Sequence, residues 1–148
     1  MEEINHSIAL LNKAGEAGRK RGFKVVYHNE INEFKPVEGK IPYELFLEGT
    51  KHATINMELD IAWCIKAGAD PIVLFKKYPG RFPLWHVKDL NKEMNQVLPL
   101  GEGMIDYTRI FSMASAAGLQ YYFIEHDMPD DAFKSIETSA RYLKKKIY

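Results

Sequence analysis

The stretch Phe-Pro-Leu-Trp-His-Val-Lys, residues 82–88, is a short apolar run that follows Pro79-Gly80 and precedes a polar loop. Three similar runs occur elsewhere in the chain: FKVVYH at 23–28, TINMELD at 54–60 and LQYYFIE at 119–125. Short runs rich in β-branched and aromatic residues are typical of strands. They start at residues 23, 54, 82 and 119 and so lie 31, 28 and 37 residues apart. This spacing suits a strand–helix repeat, which takes about 30 residues or more.

Helical patterns fill the intervals between these runs. Residues 2–20 place Ile4, Ile8 and Leu11 on one stripe, with acidic residues in the first turn and basic residues in the last. Further helices are predicted at 42–47, from Asp70-Pro71 to Tyr78, from Asp106 to Gly118, and from about Asp131 to Lys146. Apolar strands that alternate with helices indicate an α/β fold with a parallel sheet covered by helices.

Polar residues follow a common pattern where these strands end. Each strand ends in two polar residues at alternate positions, which are His28 and Glu30, Glu58 and Asp60, His86 and Lys88, and Glu125 and Asp127. Side chains alternate between the faces of a strand, so both members of a pair point the same way. Active groups of parallel sheets gather at the carboxyl ends of strands. Carboxylates with imidazoles suit a divalent cation such as Mn²⁺, Mg²⁺, Co²⁺ or Zn²⁺, whereas salt bridges would give these residues a structural role.

Several short motifs occur in an order that resembles the sugar phosphate isomerase/epimerase family, which has a xylose isomerase-like barrel. They are YHNE at 27–30 with Glu33-Phe34, ELD at 58–60 with Trp63, AGADP at 67–71, GR at 80–81 leading to HVKD at 86–89, LGEGMID at 100–106, IEHD at 124–127 and SARYLKK at 139–145. The resemblance covers essentially the whole chain. It corresponds to the second half of the barrel, strands five to eight, and therefore implies a single half-barrel domain over residues 1–148.

The resemblance implies a divalent metal held by one residue from each strand. Asp60, His86 and Glu125 match three ligand positions, and either His28 or Glu30 supplies the fourth, since relatives of this subtype read Tyr-His-Asn-His where this chain has Glu30. Glu125 and Glu30 match the acid/base carboxylates of the epimerases. Lys88 resembles a substrate-contacting position, and Trp63 follows a strand end where it could line the pocket. Glu58 is interpreted as a structural partner of the ligands.

The implied activity is isomerisation or epimerisation of a sugar or cyclitol by proton abstraction next to a carbonyl. A keto-inositol dehydratase-type lyase is an alternative, because its reaction also starts with enolisation. Four strands cannot close a barrel that needs eight and about 250 residues. We therefore expect a homodimer that completes the barrel, or docking on a separate amino-terminal half. A non-catalytic half-barrel that only binds metal or sugar is the competing hypothesis.

Composition excludes several other classes. Lys and Arg together number 20, as do Asp and Glu, so the net charge is zero and gives no basis for binding nucleic acid or an anionic membrane. Cys64 is the single cysteine, which rules out an intrachain disulfide. There is no apolar run of 18 residues, and the first residues resemble no signal peptide. A cytoplasmic location is the default expectation, with a periplasmic one if the chain is a trimmed fragment.

Overall fold

The structure is a computed structural model that describes residues 1–147. Its strands are β1 (Val25–His28), β2 (Ile55–Asp60), β3 (Leu84–Val87), β4 (Asp89–Leu90), β5 (Val97–Leu98) and β6 (Tyr121–Ile124). Four of them form one parallel sheet in the order β1-β2-β3-β6. The predicted α/β class with four parallel strands is therefore confirmed. Strands β4 and β5 form a separate antiparallel pair that the sequence pattern did not predict.

Helices connect the strands of the parallel sheet. They are α1 (Glu2–Lys20), α2 (Pro42–Gly49), α3 (Ile61–Lys66), α4 (Pro71–Lys77), α5 (Tyr107–Phe111), α6 (Ala114–Ala117) and α7 (Ala132–Lys146), with a short 3₁₀ turn at Asn32–Phe34. Two details differ from the predicted pattern. Helix α3 was not predicted, and the helix expected from Asp106 to Gly118 is divided into α5 and α6 around Ser112 and Met113. Among the helices within residues 1–147, none is long and apolar enough to span a bilayer.

The outer face of the sheet carries the hydrophobic core. Alternate residues of β2 and β3 point to this face and are buried, among them Met57, Leu59 and Trp85. The Trp85 ring stacks on Phe75 of α4 with ring centroids 4.9 Å apart and planes nearly parallel. The α-helices therefore cover this face, as expected for the outside of a barrel.

The inner face of the sheet is less covered. On β6 the inward-pointing Tyr121 and Phe123 are 67% and 49% exposed, and Leu84 on β3 is only partly buried. Strands β1 and β6 also lie at the edges of the sheet. In a complete barrel, further strands would pair with both edges and enclose this face.

The strand register sets the height of the polar residues at the carboxyl end of the sheet. His28 of β1 lies beside Glu58 of β2, and Asp60 lies beside His86 of β3. His86 in turn lies beside Phe123 of β6, which places Glu125 just beyond the end of that strand. The polar ends of the four strands thus converge at one end of the sheet.

Candidate functional site

Three side chains at the carboxyl end of the sheet form a group that fits a metal ion. His28, Asp60 and His86 each offer one ligand atom, and these atoms lie within 4.8 Å of one another. The two imidazole rings are 4.5 Å apart between centroids and tilted by 48°. An ion with bonds of about 2.1 Å separates its ligand atoms by up to about 4.2 Å. Sub-ångström movements of these side chains would therefore suffice to bind it.

The backbone around Asp60 is fixed by a buried amide. The side-chain carbonyl of Asn29 accepts a hydrogen bond of 3.0 Å from the backbone N–H of Asp60. The same amide donates to the carbonyl oxygens of Glu30 and Asp60 at 3.4 and 3.5 Å. Asn29 is completely buried and belongs to the Tyr-His-Asn-Glu motif, although the sequence pattern gave it no role. It links the ends of β1 and β2, and so fixes the spacing of two candidate ligands.

The two oxygens of the Asp60 carboxylate have different contacts. Its Oδ1 atom accepts a hydrogen bond of 2.9 Å from the backbone N–H of Trp63, which caps the amino end of α3. Its Oδ2 atom is buried and has no hydrogen-bond partner within residues 1–147, and the same holds for Nε2 of His28. These two atoms face each other at 3.7 Å. Buried polar atoms rarely lack partners, and this pair fits a shared cation.

His86 contacts a carboxylate on each side of its ring. Nδ1 lies 2.8 Å from Oε2 of Glu125, and Nε2 lies 3.3 Å from Oε1 of Glu58. A histidine that ligates a metal through one nitrogen is usually oriented by a carboxylate on the other. Either carboxylate can serve in this way, which agrees with the interpretation of Glu58 as a partner of the ligands. Glu125 itself contacts His86 rather than joining the three grouped ligand atoms.

The ammonium group of Lys88 lies among three carboxylates. Its Nζ atom is 2.7 Å from Oε2 of Glu125 and 2.8 Å from Oδ2 of Asp127, and both contacts are hydrogen bonds. A third contact, 3.0 Å to Oδ2 of Asp60, is an ion pair without hydrogen-bond geometry. The ring of Trp63 completes the surroundings, 4.6 Å from Nζ. Only 1% of the Lys88 side chain is exposed.

Charge interactions shift the pKa values of these groups. Burial alone would raise the pKa of Glu125, but hydrogen bonds from Lys88 and His86 outweigh it and lower the pKa below its ordinary value. Burial would lower the pKa of Lys88, yet attraction to the carboxylates of Asp60, Asp127 and Glu125 raises it well above the ordinary value. The contact with Asp60 raises the pKa of His28, against partial burial. At neutral pH Glu125 is therefore a carboxylate and Lys88 a cation.

Glu30 and Trp63 are placed differently from the buried cluster. Glu30 is exposed beyond the end of β1, and its backbone N–H donates to Oε2 of Glu33 at 3.0 Å. Glu33 also accepts a hydrogen bond of 2.9 Å from Tyr27, which fixes the loop after β1. Trp63 is partly buried, and its ring contacts the ammonium groups of both Lys88 and Lys66. The structure thus brings His28, rather than Glu30, next to Asp60.

The loop that follows Lys88 is organised by a buried aspartate. The carboxylate of Asp89 accepts hydrogen bonds from the backbone N–H groups of Leu90, Gly101, Gly103 and Ile105, at 2.9 to 3.1 Å. The buried hydroxyl of Tyr107 accepts from the Lys88 N–H and donates to the Lys88 carbonyl. These contacts fix the backbone from which Lys88 projects. The sequence contained no signal for Tyr107 beyond its position after the Asp106 cap.

The chain matches a known family over nearly its whole length. A sequence profile described as the xylose isomerase-like TIM barrel matches residues 2–146. Among curated proteins, an inosose dehydratase from Bacillus thuringiensis is 22% identical, with 88% of this chain and 49% of that protein aligned. An inosose dehydratase from Clostridium tetani is also 22% identical, over 82% of this chain and 46% of that protein. The chain spans about half the length of these curated relatives.

Solved structures give the same result. A sugar phosphate isomerase/epimerase from Parabacteroides distasonis superimposes with a TM-score of 0.84 and 31% identity, over 97% of this chain and 52% of that one. A probable 3-DHS dehydratase from Bacillus anthracis has a TM-score of 0.76 at 14% identity, over 97% of this chain and 57% of that one. The second likeness concerns the fold alone. The matched portion is a little more than half of the length of each of these two chains.

Proposed function

The chain belongs to the xylose isomerase-like TIM barrel family, and from this premise we propose that it is the metal-binding half of an enzyme acting on a sugar or cyclitol. One observation carries the proposal. His28, Asp60 and His86 converge next to the ionised carboxylate of Glu125, and two of their buried atoms have no hydrogen-bond partner among residues 1–147. Imidazole and carboxylate ligands suit Mn²⁺, Mg²⁺, Co²⁺ or Zn²⁺. Such an ion would supply Lewis acidity to a substrate carbonyl.

The proposed reaction begins with removal of a proton from the carbon next to a carbonyl. Glu125 is the proposed base, because it is an ionised carboxylate that lies just beyond the end of β6 in contact with the candidate ligand His86. Hydrogen bonds from Lys88 and His86 hold this carboxylate in place and would steady its orientation towards the substrate. Glu30, exposed at the end of β1, is the proposed second carboxylate that returns a proton on the opposite face.

Two outcomes are open after the proton is removed. Return of the proton to the same or a neighbouring carbon gives isomerisation or epimerisation, the activity named for the Parabacteroides neighbour. Loss of a hydroxyl group instead gives dehydration, the activity named for the inosose dehydratases. Both begin with the same proton abstraction, so the cluster serves either. We favour the isomerase or epimerase and keep a keto-inositol lyase as the second candidate.

The uncovered inner face of the sheet supports assembly with a second barrel half. Tyr121 and Phe123 are exposed on this face, and β1 and β6 leave unpaired edges. The curated relatives are about twice as long as this chain, which leaves room for four more strands. We propose that a second copy, or an amino-terminal half, covers this face and completes the substrate pocket. A half-barrel without such a cover would bind metal or sugar without catalysis.

Metal titration followed by proton exchange tests the proposal. Metal-depleted protein is titrated with each of the four ions, and the loaded protein is incubated in deuterated water with a panel of ketoses and keto-inositols. We expect binding of at least one ion and deuterium incorporation next to the carbonyl of one substrate. Metal binding without any exchange would favour the non-catalytic half-barrel. The absence of metal binding would reject the proposed site.

A further inference from the structure

The two oxygens of Asp60 face different partners. Oδ1 accepts a hydrogen bond from the backbone N–H of Trp63, and this bond fixes the start of α3. Oδ2 is the oxygen that faces His28 at 3.7 Å, and it is also the oxygen in contact with Lys88 at 3.0 Å. Oδ2 is thus the atom placed to bind a metal held by His28, Asp60 and His86, and it is also the atom that Lys88 contacts.

Two cations at this oxygen would repel each other. An ion about 2.1 Å from Oδ2 would lie within about 5 Å of the Lys88 ammonium, because Nζ is 3.0 Å from the same atom. Both charges would be shielded from solvent, since Asp60 is 0% and Lys88 1% exposed. Repulsion between buried like charges at this distance is much stronger than at a protein surface.

The contacts of Lys88 are unequal, and they indicate where it can go. It makes good hydrogen bonds to Glu125 and Asp127, whereas its contact with Asp60 lacks hydrogen-bond geometry. Glu125 and Asp127 are partly exposed, so they can follow the ammonium as it moves. Leaving Asp60 therefore costs Lys88 a buried ion pair, while its two hydrogen bonds to Glu125 and Asp127 remain.

We propose that Lys88 is an internal cation that neutralises Asp60 when no metal is bound and withdraws towards Glu125 and Asp127 when a divalent ion enters. The inference rests on the metal site proposed above. Lys88 and the ion compete for Oδ2 of Asp60, so the lysine weakens metal binding and offsets the repulsion among the carboxylates in the metal-free protein. Loading of the metal also moves the ammonium towards the base, Glu125. Lys88 thus couples occupancy of the metal site to the surroundings of Glu125.

The test compares Zn²⁺ affinity, measured by titration calorimetry, in the wild type and two lysine variants. K88M removes the charge and keeps most of the side-chain volume. K66M is the matched control, because Lys66 also contacts the Trp63 ring, at 5.0 Å, but is in none of the ion pairs found for the described chain. We expect K88M to bind Zn²⁺ at least about tenfold more tightly than the wild type. K66M should stay within about twofold.

Fluorescence provides a second measurement that needs no change at Lys88. Zn²⁺ is diamagnetic, and its binding should alter the emission of Trp63 as the ammonium moves relative to the ring. The change should be absent in W63F, in which Trp85 is the remaining tryptophan. If K88M does not fold, as judged by circular dichroism, this signal in the wild type decides: a Trp63 response supports the inference and a silent titration overturns it.

The outcomes separate this inference from the proposed function. Equal or weaker Zn²⁺ binding by folded K88M overturns the competition, while binding by the wild type leaves the metal site intact. Binding by K88M alone would support the competition in its strongest form. If neither protein binds Zn²⁺, Mn²⁺, Co²⁺ or Mg²⁺, the metal site and the inference fall together.

Discussion

The carboxylate of Asp60 accepts a hydrogen bond of 2.9 Å from the backbone N–H of Trp63, so a candidate metal ligand is also the cap of helix α3. The helix starts directly at the strand end and holds one carboxylate oxygen in a fixed direction. The second oxygen is thereby aimed at His28 and Lys88. A ligand held by its own helix loses little rotamer freedom when an ion binds.

Replacement of Asp60 by asparagine should separate its role as the cap of α3 from its proposed role as a metal ligand. Asparagine caps helices as well as aspartate, so α3 should keep its start, whereas metal affinity should fall at least about 100-fold because the charged ligand is lost. Titration calorimetry measures the affinity, and urea unfolding measures the stability. D70N is the matched control, since Asp70 caps α4 in the same way outside the cluster. Unchanged metal affinity in D60N would remove Asp60 from the ligand set.

Replacement of the two proposed acid/base carboxylates should have different effects. We expect E125Q to lose proton exchange next to the substrate carbonyl by about 100-fold or more, because the amide cannot accept the proton. E30Q should keep this exchange but lose net epimerisation, since its carboxylate is proposed to act on the opposite face. Exchange is followed by mass spectrometry in deuterated water. E3Q, on exposed α1 surface, serves as the control. Exchange at the wild-type rate in E125Q would assign the base elsewhere.

The loop anchored by Asp89 should be sensitive to loss of one negative charge. Each carboxylate oxygen accepts two backbone N–H groups, so D89N must point its amide NH₂ at two donors. We expect the free energy of unfolding to fall by about 2–4 kcal/mol, the cost of leaving buried donors without acceptors. D106N carries the same substitution at an exposed cap and should stay within about 0.5 kcal/mol. Equal free energies of unfolding for the two variants in urea would show that the Asp89 carboxylate does not stabilise the loop in this way.

Two glycines with nearly the same backbone conformation should tolerate alanine differently. Gly118 and Gly22 have φ values of 78° and 79°, so alanine is strained at both. A Cβ on Gly118 would also lie 2.9 Å from the Cα of Gly80, whereas nothing lies within 4 Å of one on Gly22. G118A should therefore lose at least about 1 kcal/mol more than G22A in thermal or urea unfolding. Equal losses would mean that the backbone at Gly80 moves freely.

Assembly can be tested on the inner face of the sheet. We expect the 17.1 kDa chain to elute as a dimer or larger species in size-exclusion chromatography with light scattering. Y121E places a charge on the exposed inner face of β6 and should dissociate the assembly. V73E is the control, because Val73 is similarly exposed, at 57%, on α4. A stable wild-type monomer would exclude pairing of two copies and leave the amino-terminal half as the partner.

The fold was predictable because its pattern is local. Strands and helices alternate at regular spacing, and the positions of β1, β2, β3 and β6 agree with the predicted runs within about two residues. Helix α3 was missed because its six residues, Ile61–Lys66, are too few to show a helical period directly after the strand. The cap at Asp60 was the available signal for it. The β4–β5 pair consists of two-residue strands, too short for any period to be visible.

The candidate site was predictable in residue type and less so in arrangement. Alternating polar residues at four strand ends identified His28, Asp60, His86, Lys88 and Glu125, which the structure brings to one place. Whether His28 or Glu30 lies next to Asp60 depends on the register of β1 against β2. The sequence shows only that both side chains point to the same face of the strand, and this does not determine the register. The metal-binding, catalytic and substrate-binding roles of these residues, and those of Glu30 and Trp63, remain predictions. The orienting amide of Asn29 and the hydroxyl of Tyr107 depend on long-range contacts that one sequence does not display.

Backbone N–H groups of the loop at residues 100–105 already bind an anion, which is the carboxylate of Asp89. The amides of Gly101, Gly103 and Ile105 surround the carboxylate of Asp89 much as the amides of a phosphate-binding loop surround a phosphate group. A phosphorylated sugar would have to expel Asp89 to use these donors. These N–H groups are therefore not free to bind the phosphate group of a substrate, which would have to be neutralised elsewhere in the proposed barrel. An uncharged sugar or cyclitol makes no such demand.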